Sequence, residues 1–330
     1  MMNLFLGIDV GSVSTNLALL DSNNQILSRQ YLRTQGQPIK AVQEGLSQLA
    51  IDLPGKASIG GVGVTGSARN LVGVAIGADV VKNEITAHAI AADLFVPEVQ
   101  TVLEIGGQDS KIIILRHGVV VDFAMNTVCA AGTGSFLDHQ AARLGIPIED
   151  FGVLAAKSKH PAHIAGRCSV FAESDMVHKQ QMGYGLEDII SGLCEALVRN
   201  YLNNVGKGKE ILAPVVFQGG VAANAGIQAA FEKALGLEVI IPEHYDVMGA
   251  IGAAVLSRLA MQERKVPCSK FRGFALSELD YETGTFQCDG CPNICEIVNL
   301  LLDGELLARW GGRCGKWDEL TTEAGQNVRQ

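Results

Sequence analysis

Apolar residues along the first third of the chain come in short runs separated by turn residues, a pattern that predicts strands before helices. Residues 4–10 are apolar apart from Asp9 and fit a buried strand. A Gly-Ser bend over residues 11–15 leads into a second apolar run at 16–20. Asp21, Asn23 and Asn24 supply a turn, and residues 25–32 read as a third strand. The result is an antiparallel meander with a phosphate-sized loop at its first bend. Helical spacing then predicts a helix over residues 38–53, a strand over 58–64, and helical pieces over 68–76 and 85–95.

The same pattern returns further on. Residues 101–105 are apolar except for Glu104, residues 106–110 form the bend, 111–115 a strand, and His117 with Gly118 a hairpin turn into a strand over 119–125. The interval from Asp9 to its hairpin turn is about that from Glu104 to His117, so the chain reads as an internal duplication of one supersecondary unit. Two such units would present two acid-glycine loops to one cleft. Backbone N–H groups there suit phosphate oxygens, while Asp9, Glu104 and Asp109 suit a hydrated Mg2+ or a water. Gly-Ser turns between strands are common on their own, and the signal is the matching pair. Downstream, 186–202 reads as an amphipathic helix with Cys194 as a core thiol. A strand at 214–218 runs into Gly219 and Gly220, 237–241 is a last short strand, and 248–254 a small-residue helix.

Composition narrows the class. The chain has 330 residues, 48% hydrophobic and 18% charged, enough for a large core in one domain or two lobes. A net charge of -9 argues against nucleic acid as the main partner. No apolar run of membrane length is present and the N-terminus lacks a basic leader, so the chain reads as cytoplasmic with no membrane partner. Eight cysteines in that setting are ligands or buried thiols rather than disulfides.

Two cysteines stand just before helix-like runs. Cys129 precedes the small residues Ala130 to Gly134 and then apolar positions at helical spacing; Cys168 precedes a run carrying Glu173 and Asp175. Unpaired N–H groups and the helix dipole would favour a thiolate or a sulfur-ligated anionic cluster at such a place. Two of them make half of a four-thiolate site, and the competing reading is a pair of small buried hydrophobes.

The loops Asp9-Val-Gly-Ser, Glu104-Ile-Gly-Gly-Gln-Asp and Gln218-Gly-Gly-Val, in this order, resemble the actin and sugar-kinase superfamily. With Cys129-Ala-Ala-Gly-Thr-Gly and Cys168-Ser-Val-Phe-Ala-Glu-Ser the chain resembles, over about residues 3 to 260, the activators of 2-hydroxyacyl-CoA dehydratases and the related ATPase components of benzoyl-CoA reductases. The resemblance implies an α/β, actin-like ATPase with ribonuclease H-like duplicated lobes, lobe I over 1–95 and lobe II over 96–262. It implies a homodimer with one 4Fe-4S cluster held by Cys129 and Cys168 of both chains, an upstream donor such as ferredoxin or flavodoxin, and ATP-driven one-electron transfer to a dehydratase-type partner. Nucleotide contacts would fall on Asp9, Gly11, Ser12, Ser14, Thr15, Gly106, Gly107, Gln108, Asp109, Gly132, Thr133, Gly219 and Gly220, with Glu104 and Gln108 as the catalytic candidates and Glu104 positioning the attacking water.

The end of the chain, 263–330, departs from the small activators and forms a cysteine-rich extension. Cys288, Cys291, Cys295 and Cys314 are closely spaced among turn residues, as in longer members of that family, and suit zinc or a second iron-sulfur cluster. Cys268 stands alone. His139 and His178 read as solvated helix residues, and Lys111 as a strand lysine near a phosphate loop. Two alternatives remain: a small-molecule kinase, which has no use for the paired cysteines, and a zinc-stapled regulator that binds ATP only to change shape.

Overall fold

In a computed structural model of the chain, the opening apolar run becomes β1 (Met2–Val10), whose residues alternate between two covered faces, and is followed by β2 (Ser14–Leu20) and β3 (Ile26–Arg33). Residues 2–328 are described except 54–56, 127, 265–267, 303, 315, 318 and 323–325. Next come α1 (Pro38–Ile51), β4 (Ala57–Thr65), α2 (Arg69–Ile76), β5 (Val80–Val81) and α3 (Glu84–Phe95). A second series follows: β6 (Thr101–Ile105), β7 (Ser110–Arg116), β8 (Val119–Asn126), α4 (Gly134–Leu144), α5 (Ile148–Ala155), α6 (Ser169–Gln181), α7 (Leu186–Asn204), β9 (Val215–Gln218), α8 (Ala225–Leu235), β10 (Val239–Ile240) and α9 (Met248–Arg264). The extension contributes β11 (Tyr281–Gln287), β12 (Glu296–Leu302), β13 (Glu305–Trp310), β14 (Glu319–Thr322) and β15 (Gln326–Val328).

The expected duplication is visible in the sheets. One has the order β3-β2-β1-β4-β5 and the other β10-β9-β6-β7-β8. In each, two antiparallel hairpins lead and two strands then join in parallel. Parallel joins need crossover helices, which is what the helical segments between strands supply. Registers match as well. Asp9 faces Asn16 on one side and Thr65 on the other, while Glu104 faces Lys111 and Gln218.

Two compact units result, Met1–Asn83 with Ala253–Gln330, and Glu84–Gly252. The division thus falls before α3, not after residue 95, because α3 packs on β6, β7 and β8. The extension does not stand as a third body. Asp79 accepts hydrogen bonds from Ser269 Oγ and Lys270 N, and Gln43 Nε2 donates to the carbonyls of Leu276 and Leu279. Leu276, Leu300 and Leu307 join Leu4, Leu6, Leu17, Val42 and Leu46 in one core. The other unit has its own core, built around Phe151, Tyr201, Phe217 and Phe231. Among the described residues no helix is long and apolar enough to cross a membrane.

Candidate nucleotide and thiolate sites

Each unit carries a strand-end acid beside a position that only glycine can fill. In the first unit Gly11 N donates to Ser14 O at 2.9 Å to close the bend, and Thr34 Oγ1 holds the Gly11 carbonyl at 2.8 Å. Thr15 is fully buried against Thr34, so of the predicted loop residues Ser12 is exposed, Gly11 and Ser14 are half-buried, and Thr15 belongs to the strand core. Gly66 sits at φ +93°, where a Cβ would lie 2.6 Å from Asp9 Oδ1 and 2.5 Å from the Val10 carbonyl. In the second unit Gly219 sits at φ +90°, where a Cβ would lie 2.7 Å from Glu104 Oε1 and 2.5 Å from the Ile105 carbonyl. The backbone therefore approaches the acid closely in both copies, and side chains are excluded from the space. Gly66 is absent from the sequence candidates; a glycine two residues after a buried strand, followed by Ser67, is its only sign.

Around the second loop, Gly106 N donates to Asp109 O at 3.0 Å, Gly107 is half-buried, Gln108 is exposed at the tip, and Gly220 is exposed beyond Gly219. Lys111 is no loose strand lysine. Its Nζ bonds Glu104 Oε2 at 3.0 Å and Asp109 Oδ1 at 2.9 Å, with the Lys111 and Glu104 side chains only 5% and 6% exposed. Burial alone would lower the lysine's pKa, but the two carboxylates outweigh it and raise it. Behind this group His88 Nδ1 lies 2.8 Å from Gln218 Nε2. Burial, helped by the Lys111 charge, pulls the His88 pKa down to about 3, so the ring is neutral and its Nδ1 accepts the amide hydrogen. The acid expected to position a water is thus fixed by a buried salt bridge. Neither Lys111 nor His88 has a sequence signature for that role.

Cys129 ends an extended segment, caps a 3-10 turn over Ala130–Gly132, and α4 starts only at Gly134. Gly132 and Thr133 are buried in that connection, with Thr133 Oγ1 bonded to Ala130 O. Cys168 caps α6 directly. Cys129 is brought beside the backbone that precedes Cys168: Cys129 Sγ is 3.9 Å from the Arg167 carbonyl, and Asn200 Nδ2 on α7 reaches both Cys129 Sγ at 3.7 Å and the Gly166 carbonyl at 2.6 Å. Asn126 clasps the other flank through Cys129 N and O. Both thiols are partly exposed. Glu173 on α6 joins the two helices, accepting from Arg143 at 2.7 Å and pairing with His139 at 3.1 Å, both on α4. The Gly106–Gly107 bend is tied to α4 as well: Gly134 N and Ser135 N donate to the carbonyls of Gly106 and Gly107, each at 2.9 Å.

Cys194 is a core thiol, its pKa pushed up to about 12 by burial. Cys288 is buried, Cys295 intermediate, and Cys291 and Cys314 are exposed. Among the described residues no three His, Cys, Asp or Glu side chains are gathered closely enough to hold a metal ion.

Residues 6–257 match the model of the BadF/BadG/BcrA/BcrD ATPase family. The chain is 36% identical over 258 residues to the (R)-2-hydroxyglutaryl-CoA dehydratase activating ATPase of Acidaminococcus fermentans, covering 76% of this chain and 95% of that one. It is 27% identical over 284 residues to a component of the benzoyl-CoA reductase of Thauera aromatica, covering 79% of this chain and 98% of that one. Among solved structures, the activator of the 2-hydroxyisocaproyl-CoA dehydratase from Clostridium difficile with bound ADPNP is similar at a TM-score of 0.71 and 29% identity, over 79% of this chain and 97% of that one.

Proposed function

Because the chain belongs to the BadF/BadG/BcrA/BcrD ATPase family, with the actin-like ATPase fold of its solved relatives, we propose that it is an ATP-hydrolysing activator. In this reading it delivers one electron to a partner of the 2-hydroxyacyl-CoA dehydratase or benzoyl-CoA reductase type, the class that its relatives' names point to.

In the second unit the loops of Glu104 and Gly219 hold the nucleotide and its Mg2+. Backbone N–H groups of the glycine bends meet the phosphates, and the acids take the hydrated cation or a water. Glu104 is the positioning acid, and its bond to Lys111 fixes the place of its carboxyl. Two copies of the chain bring Cys129 and Cys168 together as four thiolates for one 4Fe-4S cluster, which when bound supplies the single electron. The donor set fits the group: both sulfurs are partly exposed at helix-capping positions, and Val128, Val170 and Phe171 beside them are 95%, 66% and 66% exposed, an apolar rim suited to a second copy. An external one-electron donor such as ferredoxin or flavodoxin would reload it.

A single observation carries the coupling of nucleotide to thiols. The carbonyls of Gly106 and Gly107 accept from the first two amides of α4, immediately downstream of Cys129. A phosphate bound at that bend therefore pulls on the helix whose far side is fastened to Glu173 of α6. The kinase alternative has no matching support, since it leaves the paired thiols without a role.

The test is iron, acid-labile sulfide and native mass on protein purified without oxygen, together with alkylation rates of Cys129 and Cys168 in the cluster-free chain with and without a non-hydrolysable ATP analogue. About two irons per chain in a dimer, and nucleotide-dependent alkylation of both thiols, are expected. A monomer that binds no iron after reconstitution, with thiol reactivity blind to nucleotide, would overturn the reading.

A further inference from the structure

Asn200 is a polar side chain on the apolar face of α7. It lies among the buried residues Leu197, Val198 and Tyr201 and is only 2% exposed. A buried amide is costly unless both its ends find partners. The oxygen is met within the helix, by Asn204 Nδ2 one turn on at 2.8 Å. The nitrogen is aimed instead at the two cysteine-bearing segments: Nδ2 lies 2.6 Å from the Gly166 carbonyl, 3.4 Å from the Arg167 carbonyl and 3.7 Å from Cys129 Sγ. The two carbonyls fix which end of the amide is nitrogen, since an oxygen placed there would face only acceptors.

Close packing keeps the amide where it is. A Cβ on Gly132 would lie 2.8 Å from Asn200 Oδ1, so the 3-10 turn after Cys129 rests directly against it. A Cβ on Gly166 would lie 2.8 Å from the Ala196 carbonyl, so the segment ahead of Cys168 rests on the same helix, where Arg199 Nη2 also holds the Ile164 carbonyl at 2.6 Å. Three acceptors then compete for two amide hydrogens. The Gly166 carbonyl takes one at short range, and the other is divided between the Arg167 carbonyl and the sulfur. Charge on the sulfur decides that division. A neutral thiol accepts weakly and turns its own hydrogen to the Arg167 carbonyl, 3.9 Å away, whereas a sulfur carrying negative charge accepts strongly.

We infer that Asn200 is a positioning residue for the Cys129 sulfur, donating an N–H···S hydrogen bond that strengthens as negative charge collects there, while the same amide holds the backbone ahead of Cys168. On the function proposed above, on which this role rests, Cys129 is a cluster ligand. Hydrogen bonds to ligand sulfurs favour the more negative, reduced state of a cluster. One bond from each chain, two in the proposed dimer, therefore raises the potential and makes the electron easier to accept.

The experiment uses the full chain with Asn200→Ala, with Asn200→Asp, which keeps the shape but replaces the donor by a charge, and with Asn204→Ala, which loosens the amide from its oxygen end only. In cluster-free protein, alkylation of each cysteine by iodoacetamide is followed by mass; the reaction runs through the sulfur anion. Cys129 should react about tenfold more slowly in Asn200→Ala, more slowly again in Asn200→Asp and at close to the native rate in Asn204→Ala, with Cys168 not slowed in any of them. In reconstituted protein the midpoint potential should move negative in the same order, about 59 mV for each tenfold change in a one-electron equilibrium. Lost packing alone would free both thiols and speed both, equally in the two Asn200 variants, and that result would overturn the inference. An unchanged potential with the cluster intact would overturn it too. Absence of iron from the unmutated protein after reconstitution would overturn the proposed function instead, and the alkylation rates would still decide the role of Asn200.

Discussion

Replacing His88 with Gln should flatten the acid limb of the stability profile of the second unit. His88 is buried and neutral, with a pKa of about 3 against 6.5 for an exposed ring. Between those values the unfolded chain binds a proton that the native chain refuses. The folded pKa is lowered, so its stability is complete above the unfolded pKa and is lost as pH falls toward the folded one. Linkage gives a loss of about 1.4 kcal/mol per pH unit below 6.5, or about 2 kcal/mol at pH 5 from this residue alone. A glutamine keeps a partner for Gln218 without a titrating ring. Both tryptophans, Trp310 and Trp317, lie in the other unit, so fluorescence would report the wrong one. Amide hydrogen exchange of peptides spanning β6 and β7 reads the right one. Between pH 6.5 and 5 the opening free energy of the unmutated protein should fall more steeply than that of His88→Gln by about the linkage slope. Parallel slopes would show that His88 takes up its proton in the native state, and the neutral bond to Gln218 would be wrong.

Lys111→Met leaves the Glu104 carboxylate buried without its cation and should destabilise the same peptides by about 3–5 kcal/mol, with much of the loss recovered in Lys111→Met/Glu104→Gln. Gly219→Ala forces a side chain into φ +90° and against the Ile105 carbonyl; a loss of about 1–3 kcal/mol and weaker ATP binding by calorimetry are expected. Glu173→Gln breaks a partly exposed ion pair with Arg143 and alters a hydrogen bond with His139, and should cost no more than about 1 kcal/mol of stability, yet it should loosen α6 from α4 and abolish any nucleotide effect on Cys168 alkylation while leaving that on Cys129. If both thiols kept the effect, Glu173 would be a surface contact only.

The strand-bend-strand repeat is readable because buried strands are apolar runs and the acids interrupt them at equivalent places, so the meanders β1–β3 and β6–β8 and the positions of Asp9 and Glu104 in them follow from pattern alone. The partners of those acids do not. Lys111 meets Glu104 only because the hairpin register sets residue 104 against 111, and Gly66 meets Asp9 only because β4 returns in parallel beside β1. Neither relation has a local spacing. Cys129 reads in sequence as heading a helix, but Gly132 and Thr133 interrupt it, and the α4 amides that follow face the Gly106–Gly107 bend. The extension looks separable because its composition changes; Asp79 and Gln43, which hold it, are ordinary polar residues in sequence.

The contacts within the second unit form a closed circuit. The carbonyls of Gly106 and Gly107 hold the first turn of α4; Arg143 and His139 of α4 hold Glu173 of α6; Cys168 caps α6; and Asn200 returns from the Gly166 carbonyl to Cys129, which heads the 3-10 turn ahead of α4. A side chain from α7 and one from α6 therefore each span the two thiol-bearing segments. With one such tie, α4 could pivot and carry Cys129 away while Cys168 stayed in place. With ties at both ends of the helix pair, a pull at the phosphate bend either shifts the two thiols together or strains a bond of the circuit. Packed elements of this kind have few discrete arrangements rather than a continuous range. On the proposed function, a nucleotide that distinguished two arrangements at Gly106 and Gly107 would thereby distinguish two spacings of four thiolates across the dimer, and its differential affinity at the bend would set an upper limit on how far that equilibrium is shifted.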